Sequence, residues 1–386
     1  MAPTVDQAAE LLGRLVACPS VNPGRRRAVG PPFGEAAMAD LLDAIVSPWG
    51  ARTWKVELGP GRCNFLSEFA GDDPARSLLL EAHADTVAIE GMTVEPLAPV
   101  RRGGRLYGRG SCDAKGPMAA MLLAIRAVLD ERGRPPATLH FVATGDEESG
   151  AGGAHRLVAD GFRSDAAVVG EPTDLRIVHA HKGAYRCRII AHGRAAHSSD
   201  PSLGSSAISR MARVVQALEG PLAAHLAQRP HPLFGPPTIS VGTIRGGVQV
   251  NVVPDRCEIE VDRRTLPDED RAAVAREFRD ALDALAATDP EFPCALEESE
   301  WYPAFEEDPA GPIAQHVAAA CRAVLGQAEF AAVPWAANAG IFRQGGIPCV
   351  LFGPGSIRQA HTADEFVELA EVVRAAEVYA EIIRRS

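Results

Sequence analysis

No block of basic residues runs through the 386-residue chain, and its formal net charge is -11. That excludes the electrostatic surface a nucleic-acid binder needs, since Arg25, Arg26 and Arg27 make only one local cluster. Small molecules are the expected partners. Any CxxC spacing is missing as well. The eight cysteines stand apart at Cys18, Cys63, Cys112, Cys187, Cys257, Cys294, Cys321 and Cys349, and a chain of this length needs no disulfide staples. They read as reduced, mostly buried thiols. The opening MAPTVDQAAELLGRLVAC places acidic residues ahead of any apolar stretch. Neither a secretory leader nor a spanning helix is expected, so the expected location is cytoplasmic with no membrane partner. Internal repeats and low-complexity runs are also missing.

What remains is a folded chain, 46% hydrophobic and too long for one ordinary core; two domains suit it, with room for one to be split by the other. Apolar residues keep the helical period over residues 5–17 and 35–46, and Pro19 stops the first run. Short β-like runs follow at 52–56, 64–69 and 78–80. Residues 118–129 are apolar on most sides and predict a buried helix. A strand at 138–143, a helix opened by Gly150, Gly152 and Gly153 through Ala159, and a strand at 166–169 continue the alternation. This rhythm predicts an α/β fold with a mostly parallel sheet and helices on both faces. Near His181 the rhythm changes. Strands at 184–191, 238–244 and 256–262 with helices at 205–218 and 270–286 predict an inserted α+β unit. Pro290 and Pro293 mark the return, and a final helix is read over 366–384. The expected domains are 1–180 with 292–386, and 181–291.

Three apolar or glycine-rich runs between residues 78 and 148 each end in a cluster of His, Asp and Glu. Parallel sheets gather working residues beyond the carboxyl ends of their strands. His83 and Asp85, two apart on an extended strand, face one side, and a carboxylate there can fix the tautomer of a ligating imidazole. Alone, such a pair is usually ordinary core. Likewise most DEE runs are solvated turns, but Asp113 and Glu171 also end apolar runs in acid. Four acidic strand ends, His83 and the late His361 would supply the hard oxygens and imidazoles of a two-metal hydrolase holding Zn²⁺, Co²⁺ or Mn²⁺. Two such ions about 3.5–4 Å apart polarise a carbonyl and lower the pKa of water toward roughly 7.

The motifs EAHADTV, YGRGSCDAKG, TGDEESG, GEPTD, HGRAAHSSDP and PGSIRQAHTADEF occur in this order. They resemble those of the co-catalytic zinc metallohydrolases that include acetylornithine deacetylase, succinyl-diaminopimelate desuccinylase, aminoacylase and glutamate carboxypeptidase. The likeness runs from about residue 16 to the final helix. It implies that Asp113 bridges two divalent metals, that His83 and Glu171 complete one site, and that Glu148 and His361 complete the other. Asp85 would orient His83, and Glu147 would act as general base and then as proton donor to the leaving amine. A cis peptide at Asp113–Ala114 is implied too. The inserted unit would be a lid and dimerisation domain, making a homodimer.

In that unit His197 resembles the lid histidine that stabilises the oxyanion from across the dimer; by itself it would read as a surface histidine. Asn251 and Arg264 match positions that hold a substrate carboxylate, with the adjacent Arg263 as the alternative because strand neighbours point to opposite faces. Gly353 and Gly355 lie in a loop whose amides could bind a carboxylate or acyl group, or could form a plain tight turn. GEPTD and PGSIRQAH look most like acetylornithine deacetylase, which implies removal of a short acyl group from the α-nitrogen of an N-acyl amino acid. The stretch VPWAANAGIF lacks the acidic residue that pattern would carry, so a basic side chain would need another partner such as Glu306, Glu307 or Asp308. A desuccinylase, a metallo-carboxypeptidase or dipeptidase, and a non-catalytic amino-acid-binding descendant are the alternatives.

Overall fold

The computed structural model describes residues 2–24, 30–289 and 292–386; Arg25, Arg26, Arg27 and Pro290 lie outside them. The chain divides into two compact units. The first contains the residues up to Ala180 with Glu306–Ala331 and Ala337–Ser386, and the second contains His181–Phe305 with Ala332–Ala336.

The first unit is built on a mixed sheet whose centre is parallel. Strand Asp73–His83 runs parallel to Ala137–Thr144 on one side and to Ala166–Val169 on the other, and Cys349–Leu351 runs parallel to Ala166–Val169. Arg62–Phe69 and Arg52–Gly59 extend one edge antiparallel. Strands covered on both faces read as continuous apolar runs, and Leu78, Leu79 and Leu80 are all buried. Helix Lys115–Arg132 is buried along its first two turns and stops at Gly133, whose left-handed φ of 77° suits a residue without Cβ. It packs against Val5–Ala17 and Leu369–Arg385 in one core. Residues 366–368, read from sequence as the start of the last helix, form a strand beside Arg105–Tyr107, and the helix begins at Leu369. A three-residue strand carries too little periodicity to separate from the helix that follows it.

The second unit is a four-stranded antiparallel sheet in the order Thr238–Gly246, Arg256–Thr265, Gly183–His192, Cys294–Tyr302. Along Arg256–Thr265 every second side chain is buried, and helices Ala207–Ala217 and Arg271–Ala286 cover that face. The unit's main segment runs to Phe305 and not to residue 291, because Cys294–Tyr302 pairs with Gly183–His192.

All eight cysteines are free, and only Cys18 and Cys294 are partly exposed. Among the described residues, no helix is long and apolar enough to cross a membrane.

Candidate metal centre

Four side chains of the first unit sit at or just beyond strand ends, and two more come from the segments beside them. His83 closes strand Asp73–His83, Glu147 and Glu148 open the turn after Ala137–Thr144, and Glu171 follows Ala166–Val169. Asp113 precedes helix Lys115–Arg132, and His361 lies in the loop after Cys349–Leu351. This edge is where an open α/β sheet binds ligands.

Asn64 builds the turn that carries the two glutamates. Its side-chain oxygen accepts the Gly145 N–H at 2.9 Å and its amide donates to the Gly153 carbonyl at 2.9 Å. Within the acidic run the three carboxylates have separate surroundings. Asp146 accepts from Arg62 at 2.8 Å and Asn22 at 3.1 Å, Glu148 lies 3.0 Å from His361 Nε2, and Glu147 is buried.

Asp113 is the centre of the cluster. Its Oδ1 faces His83 Nε2 at 2.8 Å and its Oδ2 faces His361 Nε2 at 3.4 Å. The peptide that follows, Asp113–Ala114, is cis. Ligand atoms of His83, Asp113 and Glu148 all lie within 4.8 Å of one another, and Glu171 stands outside that tight group. The resemblance assigns His83 and Glu148 to different ions, so the tight group gathers ligands of both around the residue they would share.

His83 Nδ1 is 2.9 Å from the Asp85 carbonyl, which can only accept, so Nδ1 carries a proton. A neutral His83 then presents the Nε2 lone pair to a carboxylate oxygen 2.8 Å away. Two lone pairs hold that distance only with a proton or a cation between them. The electrostatics agree: despite its burial, His83 is held protonated well above its usual pKa by Asp113. Hydrogen bonds to Asp113 and Glu148 raise His361 to about 10. Burial pushes Glu147 and Glu171 well above the carboxylate range, and neighbouring carboxylates add to it. Burial opposes ionisation of Asp113, yet His361 and His83 hold it below its ordinary value. Buried hard oxygens with the buried imidazole of His83 and the exposed one of His361 fit divalent cations.

Asp85 differs from its expected part. Its carboxylate is 3.7 Å from His83 Nδ1, and its backbone carbonyl makes the closer contact. The carboxylate instead accepts from the Glu147 and Glu148 amides at 3.0 and 3.1 Å and from Asn22 at 2.7 Å. It orients the paired glutamates. The Gly353 and Gly355 amides are not open to a ligand either. Gly353 N–H donates to the Thr173 hydroxyl at 3.0 Å, and Gly355 N–H donates to Glu371 at 2.9 Å. Both glycines are buried, and a Cβ at Gly353 would meet the Glu171 carbonyl at 2.5 Å. They serve a tight turn packed under Glu171.

In the second unit, residue 197 bridges residue 252, and Ser198 N–H donates to the Asn251 carbonyl at 3.0 Å; His197 and Asn251 are exposed neighbours there. His197 Nδ1 accepts the Ser199 N–H at 3.1 Å, which leaves the ring proton of a neutral imidazole on Nε2. Arg263 is fully buried and its fork is bonded to Glu269 and Glu277. Arg264 points to the opposite face beside Asp262 at 2.8 Å. Of the two arginines, Arg264 is the accessible one.

Residues that sequence reading passed over lie around this cluster. Asn22, Arg62 and Glu35 tie Asp85 to Asp146. Glu365 and Arg109 hold the segment before Asp113. Glu365 stood inside the quoted TADEF motif, where an acid four residues after a histidine was the available signal.

The family model described as Peptidase family M20/M25/M40 matches residues 79–385. An acetylornithine deacetylase of Myxococcus xanthus is 32% identical over 331 residues, 85% of each chain. An M20 family metallo-carboxypeptidase of Sulfolobus solfataricus superposes with a TM-score of 0.81 at 17% identity, covering 98% of both chains. A dinuclear metal binding peptidase of Bacillus subtilis gives 0.70 at 17%, covering 98% of this chain and 97% of that one. These two structures share the fold.

Proposed function

We infer the reaction from one premise: the chain belongs to peptidase family M20/M25/M40 and is a hydrolase of amide bonds. The reading the geometry supports best is deacylation of an N-acyl amino acid, with an acetylornithine deacetylase-like substrate. The observation that carries it is the Asp113 carboxylate, which turns one oxygen to His83 and the other to His361, in a chain 32% identical to such a deacetylase.

His83 and Glu171 with Asp113 would hold one divalent ion, and Glu148 and His361 with Asp113 the other; zinc suits the donors, and cobalt or manganese would also fit. The ions supply a polarised carbonyl and a water acidic enough to attack near neutral pH. Glu147 takes the proton from the attacking water. Its burial keeps its proton affinity high, which suits a base that must then return the proton to the leaving amine. Asp85 fixes the backbone of that glutamate. His197, with its donor on Nε2, suits the developing oxyanion, and Arg264 with Asn251 suits a substrate carboxylate.

The runner-up is a dipeptidase or carboxypeptidase, and a specific observation favours it. VPWAANAGIF carries no acid, its Asn338 is bonded to Glu81 at 2.9 Å, and Glu307 is buried with Arg343 Nε 3.4 Å away. An ornithine ammonium finds no partner among these. Hydrolysis of N-acetylornithine, N-succinyl-diaminopimelate, N-acetylmethionine and several dipeptides, each with Zn²⁺ or Co²⁺, separates the readings. Preferred cleavage of a dipeptide would overturn the deacylase assignment, and metal uptake without any turnover would favour a binding protein.

A homodimer through the second unit is part of the same reading. Strand Thr238–Gly246 is a sheet edge, and Ile244 on it and Val248 and Val250 just after it are exposed. Sedimentation equilibrium giving a monomer at micromolar concentration would remove this element.

A further inference from the structure

The loops that bring Asp113 and His361 together are held by one buried carboxylate. Glu365 is 1% exposed. Its Oε1 accepts the N–H groups of Cys112 at 3.0 Å and Asp113 at 3.1 Å. Its Oε2 accepts Gly110 N–H at 3.1 Å and Arg109 Nη1 at 2.7 Å. The Glu365 carbonyl accepts Gly108 N–H at 3.1 Å. Arg109, also buried, donates onward to the Ala88 carbonyl at 3.0 Å and the Thr362 carbonyl at 3.4 Å. Three segments meet on this pair: the loop after His83 and Asp85, the turn before Asp113, and the residues directly after His361.

A second buried carboxylate beside Asp113 is expensive unless it is fully paired. Here four donors face its two oxygens, so a neutral amide with a single acceptor oxygen could not replace it. What it fixes is specific. The Asp113 N–H orients the peptide plane from which the bridging side chain projects. The His361 side chain is half exposed and meets Glu148 and Asp113 at its ring, while its backbone, at a left-handed φ of 62°, is placed by the anchoring of Thr362 and Glu365.

We propose that Glu365, through Arg109 and the 110–113 amides, is a positioning residue that sets the separation of Asp113 from His361 and so decides whether the second metal ion binds tightly. The inference rests on the two-metal reading above. His83 and Glu171 with Asp113 depend less on Glu365, because His83 is set by its own strand and the Asp85 carbonyl. The first site shares only Asp113 with this anchor, whereas the second shares both Asp113 and His361 with it, so the second responds more strongly.

The test is calorimetric titration of metal-stripped protein with Zn²⁺, alongside the visible spectrum of the Co²⁺ form. Wild-type protein takes up two equivalents. Glu365→Gln keeps the size of the side chain but turns an amide NH2 toward N–H donors; it binds the first equivalent within threefold of wild type and the second at least tenfold more weakly, with an altered Co²⁺ spectrum for that site. Should Glu365→Gln not fold by near-ultraviolet circular dichroism, Glu365→Asp retains both acceptors with a shorter reach and gives the same selective loss on a smaller scale. A merely structural role would lower the melting temperature and leave both binding constants of the folded protein unchanged. That result, or equal weakening of both equivalents, overturns the proposal. Wild-type protein that binds no stoichiometric metal overturns the two-metal reading, and the proposal with it.

Discussion

Glu147 and Glu148 are chain neighbours whose side chains meet different partners. Glu148 lies 3.0 Å from His361, while Glu147 is buried among His83, Glu148, Asp85 and Asp113, whose charges act on its proton. Glu147→Ala should therefore retain its metal by elemental analysis and lose roughly 10²–10⁴-fold in kcat, the usual worth of a general base; a variant within threefold of wild type would remove Glu147 from that role. The histidines predict the pH dependence. In the metal-free protein His361 binds its proton up to about 10, above the ordinary value of 6.5. Its folded-state pKa is raised, so the stability it contributes is full below about 6.5 and is lost as pH climbs through 10. Metal must displace that proton and the one on His83. Affinity should then rise with pH, on the order of tenfold per unit for each proton displaced. A titration series showing flat affinity between pH 6.5 and 8.5 would contradict this. The residue types and their strand-end positions were legible in the sequence. The partner chosen by Asp85 was not, because a carboxylate and its own carbonyl lie within reach of the same ring nitrogen. Nor was the direction of the Gly353 and Gly355 amides, since a Gly-Pro-Gly turn can aim its N–H groups inward or outward.

At the scale of elements, the turn from Gly145 to Gly153 has little room for change. A Cβ on Gly153 would stand 2.3 Å from both Asn64 Oδ1 and the Gly145 carbonyl, atoms that fix the glutamate turn. Gly153→Ala should cost about 1–3 kcal/mol by thermal or denaturant unfolding, as overpacking does. A wild-type midpoint would show that the turn yields more easily than its contacts imply. Long periodic elements such as Lys115–Arg132 and Arg271–Ala286 were readable from their apolar spacing. Short ones were not: Phe366–Glu368 merges with the helix after it. Strand Cys294–Tyr302 escaped for another reason. Its sequence CALEESEWY carries three glutamates, and most of its length alternates between exposed and half-buried positions. Its pairing with Gly183–His192 includes charge pairs such as Glu300 with Arg186, which leave no hydrophobic signature.

For the whole molecule, the change of rhythm near His181 was visible because parallel strands buried on both faces give way to strands with one buried face. The far boundary at Phe305 was set by strand pairing that only the folded chain displays. Substrate choice is the least legible property. Differences of one or a few methylenes are worth only about 1–3 kcal/mol, too little to leave a compositional signal. The residues proposed to hold metal all lie in the first unit, with the Asp113 carboxylate between His83 and His361 as the proposed bridge. Zinc titration of metal-stripped wild-type and Asp113→Ala protein, both folded by circular dichroism, tests this most directly. The account predicts two equivalents for wild type and loss of tight binding at both sites together in the variant. Two equivalents at wild-type affinity in Asp113→Ala would contradict it.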